Sequence, residues 1–197
     1  MPIKDGREYR AISIRNFEAS DEGCIVEGYA TTFDDPYELM PDYYESISRS
    51  ALDGANMDDV IFQYDHRGMV LARQRNKTLE VECDEHGLKV RADLSGSQEG
   101  RNLHEAIKNG LVDRMSWAFT VAEDGWEYDE KTRTSTVTKV AKVYDVSAVS
   151  IPANEGTNIN ARSYFDGVIE AEQQELLQRS KDADRRRRLA VRMKLTK

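Results

Sequence analysis

The chain has 197 residues, enough for one domain with a separate tail and a full apolar core. Hydrophobic residues make up 39% and prolines number only four, which excludes a disordered chain. Net charge is −8, but from Lys181 onward eight basic residues face two acidic ones, so the remainder stands at −14 and is unsuited to binding nucleic acid by bulk electrostatics.

The opening "MPIKDGREYRAISIRNF" carries no apolar signal-like core, and no segment approaches the roughly 18 apolar residues of a membrane helix. A soluble cytosolic protein without a membrane partner is expected. Cys24 and Cys83 stand far apart and outside any metal-type cluster, so they are expected to be buried strand thiols rather than a disulfide or zinc site.

In chain order, "AISIRNF" and "CIVEGYATTF" alternate β-branched and aromatic residues with polar ones and predict strands. The acidic, tyrosine-rich "DDPYELMPDYYE" predicts a long loop, surface-lying or facing a substrate. "SISRSALDGA" predicts a short helix, with Ser46 or Ser48 as cap and Gly54 as stop. The run from Val60 through Phe62 and Tyr64 to His66 predicts a strand that carries an imidazole at its rim, ahead of Gly68. In "LEVECDEHGLKVRADL" two alternating runs flank Glu85-His86-Gly87, which predicts a hairpin with His86 at its tip and Gly87 free to take a positive φ. "SGSQEGRNLHEAIKNG" has helical spacing, with Ser97 as N-cap, Gly110 as stop and His104 at the edge of the apolar face. Strands resume in "MSWAFTV", "GWEYD", "RTSTVTKV" and "KVYDVSAVSI", ended by Pro152. Residues 164–197 form a charged, helix-forming tail with a thin apolar stripe, either helical on a partner or disordered, and residues 1–163 form the main domain.

Three residues invite chemistry. Strand alternation sends Met115, Trp117 and Phe119 into a core and turns Ser116 away from it, beside the small Ala118. That leaves room for a substrate carbonyl, though serines are common on strand faces, and no GxSxG elbow is present. Asp145 shares a strand face with Val143, Ser147 and Val149, an inward position that demands a donor. That donor is an arginine, a set of backbone amides or a histidine N–H. His66 is either a structural histidine or the base that a serine hydroxyl needs to become a nucleophile. From the residues alone both readings stand for each position.

The succession "YDHRGMVLAR", "LEVECDEHGLKVRADL", "LHEAIKNGLVDRMSWAF" and "YDVSAVSIPANEGTNI" resembles the prohead maturation proteases of tailed bacteriophages, serine peptidases related in fold to herpesvirus assemblins. The resemblance runs from about Gly28 to Ile159. It matches His66 with the following Leu71-Ala72-Arg73, the glycine-leucine turn at Gly87-Leu88, the strand serine Ser116, and Asp145-Val146-Ser147 before Pro152-Ala153-Asn154. Ala72 stands where that pattern has glycine, and "SWAF" replaces a serine–x–glycine–phenylalanine. The resemblance implies an α+β fold, a mainly antiparallel, barrel-like sheet flanked by helices. It implies a serine endopeptidase with Ser116 as nucleophile, His66 as general base and, since no second histidine follows His104, Asp145 as third member. Arg73 or backbone amides are candidates for the oxyanion donors. No cofactor or metal is implied, and three scattered histidines make no metal site. The implied partners are the major capsid protein with its scaffold segment, and the chain itself, as autoproteolytic substrate and possible dimer. The implied location is the assembling procapsid in the host cytoplasm. The rival expectation is a non-enzymatic assembly factor that binds capsid protein.

Overall fold

The computed structural model describes residues 7–12, 18–20 and 23–150, with the isolated positions Gln174 and Gln178. The charged tail expected over 164–197 and the Pro152-Ala153-Asn154 segment lie outside the continuous described stretches. The described residues form an α+β arrangement of three sheets and one α-helix, α1 (Gln98–Lys108).

The sheet that carries the site has five strands, β1 (Glu8–Ile12), β10 (Arg114–Val121), β13 (Val140–Val149), β6 (Ile61–Tyr64) and β7 (Arg67–Arg73), in that spatial order. A second sheet runs β11 (Trp126–Asp129), β12 (Thr134–Val137), β5 (Tyr43–Ile47), β4 (Tyr37–Met40). The third runs β2 (Glu18–Ala19), β3 (Ile25–Thr32), β9 (Gly87–Asp93), β8 (Leu79–Cys83). Pairing is antiparallel except between β5 and β12 and between β6 and β13. The expectation of a barrel-like sheet needs correction: none of the three described sheets closes on itself.

The core gathers alternate residues from all three sheets, among them Val26, Leu88, Val90, Phe62, Trp117, Phe119, Val143 and Val146, with Leu103 and Ile107 of α1. The helix starts where expected. The Ser97 hydroxyl accepts from Gly100 N–H at 2.9 Å, and Gly110 follows the helix at φ +70°. His104 is not at the edge of the apolar face but buried, with Nε2 3.2 Å from the Ser20 carbonyl oxygen.

The acidic segment read as a loop is the β4–β5 hairpin, turned at Asp42 with φ +66°. Its composition misleads because Glu45 is buried, held by Arg10 of β1 and by the Tyr37 hydroxyl. A charged residue reads as surface unless the partner that neutralises it, thirty-five positions away, is known. The short helix is a 3₁₀ turn over Arg49–Leu52, with Ser48 at its cap position but no side-chain cap bond. The β8–β9 hairpin forms as expected, yet Gly87 is required for a different reason. A Cβ there would lie 2.0 Å from the Thr31 carbonyl oxygen, so the position needs close backbone approach rather than a positive φ. Asp84 closes the turn by accepting from the N–H groups of His86 and Gly87 and from the Tyr29 hydroxyl. Cys83, expected to be buried, is exposed, and Cys24 is half-buried; both are free thiols.

Candidate active site

Ser116, Asp145 and His66 come from three different parts of the five-stranded sheet, and each is aimed by a local departure or regularity of the backbone. On β10 the alternation holds. Met115, Trp117 and Phe119 join the core while Ser116 and Ala118 face the other way. All five are buried, so Ser116 is not presented on an open strand face: its exposure is 0%.

On β13 the simple alternation fails. Phe119 pairs with Val143 and Ala118 with Asp145, which leaves Tyr144 as an extra residue in a bulge. The bulge sends Val143 to the core side with Val146 and Ala148. Asp145 and Ser147 stay on the side of Ser116, and Ser147 sits directly opposite Ser116 in the ladder. Without the extra residue, Val143 would share their face, as strict alternation predicts.

His66 is not on the strand face of Phe62 and Tyr64. Tyr64 pairs with Arg67, so Asp65 and His66 form a two-residue turn, at φ +49° and +54°. Positive φ at both central residues is the pattern of a type I′ hairpin, and Asp and His are among the non-glycine residues that tolerate it. The turn releases His66 from strand alternation and lets its ring cross to the face of Ser116. Asp65 fastens that turn to the end of β13. Its N–H donates to the Ala148 carbonyl at 2.9 Å, and its carboxylate accepts from Ser150 N–H and Oγ, both at 3.0 Å.

The three side chains meet. His66 Nδ1 lies 2.5 Å from Asp145 Oδ1, and Nε2 lies 2.7 Å from Ser116 Oγ. Ser147 Oγ donates to the same Asp145 oxygen at 2.8 Å. The Tyr9 ring, from β1, meets the imidazole edge-on with centroids 4.8 Å apart. What solvent exposure the triple has belongs mostly to the imidazole, at 14% of its side chain against 7% for Asp145. The arrangement can move a proton. An ionised carboxylate only accepts, so Nδ1 carries hydrogen, and the lone pair on Nε2 is then left for the serine O–H to donate to.

Arg73, a candidate oxyanion donor, is committed elsewhere. Its Nε and Nη2 donate to both carboxylate oxygens of Asp59 at 2.8 and 2.7 Å. That bidentate pair, with Arg75 beside it, holds the Asp59 carboxyl below its ordinary range. His86 sits at its hairpin tip against the Tyr29 ring, and His104 faces Ser20, so neither joins the site. Among the described residues no group of three or more His, Cys, Asp or Glu side chains could hold a metal ion. Three supporting residues take no role from the sequence alone. Ser147 was signalled by its i+2 spacing from Asp145, and Asp65 by its position in the turn beside His66. Nothing in the sequence pointed to Tyr9, which reaches the imidazole from a strand 57 positions away.

The model of caudovirus prohead serine proteases matches residues 10–168, most of the chain. The chain belongs to that family. It is 26% identical over 151 residues to the prohead protease of Escherichia phage T5, covering 75% of this chain and 68% of the relative. It is 28% identical over 153 residues to the prohead protease of Enterobacteria phage HK97, covering 77% of this chain and 66% of that protein. The chain thus spans about two thirds of the length of the curated relatives it matches. No solved structure matches it. Membership of the prohead family makes the chain a serine protease by class, and the serine bonded to an imidazole is the part of the structure that suits this chemistry. No helix among the described residues is long and apolar enough to cross a membrane.

Proposed function

We propose that this prohead-family protease cuts peptide bonds with Ser116 as nucleophile, His66 as general base and then general acid, and Asp145 as the carboxylate that orients the imidazole. The observation that carries the reading is the continuous hydrogen-bonded line from Asp145 Oδ1 through the ring of His66 to Ser116 Oγ. Ser116 Oγ attacks the scissile carbonyl carbon and its proton passes to His66 Nε2. The resulting imidazolium is stabilised by Asp145 and returns the proton to the leaving amine as the C–N bond breaks. Water then attacks the acyl-enzyme by the same route in reverse, releasing the acid and restoring the serine. The aspartate here takes the place of the second histidine of herpesvirus assemblins, and kinship in fold with those enzymes is part of this proposal.

The substrates we assign are the major capsid protein with its scaffold segment, and the chain itself, cut within the assembling procapsid. Residues 1–163 form the protease unit, and the basic stretch from Lys181 docks on acidic scaffold segments before being trimmed. A fluorophosphonate tests the chemistry directly, because it captures only an activated serine. Covalent labelling at Ser116 in the intact chain, lost in Ser116→Ala and in His66→Ala, is the expected result. Cleavage of capsid protein that persists in purified Ser116→Ala would remove that serine from the mechanism.

A further inference from the structure

We infer that Ser147 is a positioning residue for this reaction, holding the Asp145 carboxylate so that one oxygen faces the imidazole; the inference rests on the Ser116–His66–Asp145 reading above. Ser147 is fully buried, on the same face of β13 as Asp145 and directly opposite Ser116 on β10. Its hydroxyl donates to Asp145 Oδ1 at 2.8 Å, the oxygen that lies 2.5 Å from His66 Nδ1. A buried hydroxyl is costly unless bonded, and alanine would satisfy the packing of this strand position. The bond to Asp145 is what the hydroxyl provides there.

Two donors converging on one oxygen restrain the carboxyl group about its last torsion, since turning it breaks both bonds together. One ladder also sets the register of Ser116, Ser147 and Asp145, so the donor and the nucleophile are placed by the same backbone hydrogen bonds. With Ser147 removed, Asp145 keeps its histidine but loses the restraint. The Nδ1 bond then lengthens, and Nε2 spends less time aimed at Ser116 Oγ. A group acting this way changes the rate of serine attack and leaves substrate affinity alone.

The test uses the full chain and a fluorophosphonate, at a temperature where each variant is fully folded. Ser147→Ala is expected to slow the covalent step at Ser116 about ten-fold, with the reversible binding constant of the reagent unchanged. Ser147→Cys, nearly the same size and a weak donor, is expected to fall between, and it carries the test if the alanine variant does not fold. In parallel, the downfield proton of His66 Nδ1–H is followed by NMR and is expected to move upfield in Ser147→Ala and part-way in Ser147→Cys. An unchanged rate with an unchanged resonance in a folded variant overturns the assignment. If the wild-type chain takes no label, the peptidase reading fails instead. The resonance comparison still decides whether Ser147 holds Asp145 against His66.

Discussion

Replacing Arg10 with methionine tests whether the strand beside the nucleophile is held by a buried ionic knot. Arg10 is fully buried and donates to Glu45 through Nε and through Nη2, the latter at 2.6 Å, and to Glu8 through Nη1 at 2.9 Å. Burial alone opposes the guanidinium charge. Attraction to Glu45 and the bonds between them outweigh it, so the proton is held more firmly than on a free arginine. The knot joins β1 of the site-bearing sheet to β5 of the second sheet, and Ala11, next in β1, pairs with Ser116. Arg10→Met leaves the Glu45 carboxylate buried with the Tyr37 hydroxyl but without its cation. Breaking a buried pair from one side costs about 3–5 kcal/mol, which for a chain of this size corresponds to roughly 6–20 °C in thermal midpoint. The double replacement Arg10→Met, Glu45→Leu removes the central pair of charges but takes Arg10 from the buried Glu8 carboxylate and Glu45 from the Tyr37 hydroxyl, so it is expected to recover part of that loss. Denaturant unfolding of the two single variants and the double variant measures the coupling. A cost below about 1 kcal/mol for Arg10→Met, or a double variant no more stable than the worse single one, would refute the reasoning.

Three other outcomes are expected. Asp65→Gly keeps the positive φ of the turn at no steric cost but removes the bonds to Ser150, so fluorophosphonate labelling at Ser116 slows several-fold while reagent affinity holds, as measured by labelling kinetics. Gly87→Ala drives a Cβ to within 2.0 Å of the Thr31 backbone oxygen, and urea unfolding is expected to show a loss of about 2 kcal/mol or more, because backbone cannot yield as a side-chain tip would. Asp84 is held below its ordinary value chiefly by the Tyr29 hydroxyl, with the N–H groups of Gly87 and His86 adding to it against the opposing effect of burial. Its contribution is therefore present above about pH 4 and lost as pH falls through the lowered value. Asp84→Asn should be less stable than wild type at neutral pH, with the gap closing in acid, as followed by thermal unfolding across pH.

Much of the architecture follows from local chemistry. The β8–β9 hairpin, α1 with its Ser97 cap, and the inward set of β10 depend on period and on capping groups a few residues apart, so they are legible in the chain itself. The three residues nominated for chemistry were also within reach, but only as types in a familiar order, because a lone serine, histidine or aspartate in a strand has a structural use as readily as a catalytic one.

The tertiary structure decided what local pattern could not. The β4–β5 segment looked like a loop because its buried glutamate takes a partner from β1, and no window of sequence contains both. Strict alternation put Val143 on the face of Asp145 and His66 on the face of Phe62. An extra residue in β13 and a two-residue turn at positive φ reversed both, and each is a matter of register between strands. Residue types set which groups could exchange a proton. Whether they lie within 3 Å of one another depends on pairings between distant strands, whose energies are settled only when the whole sheet forms.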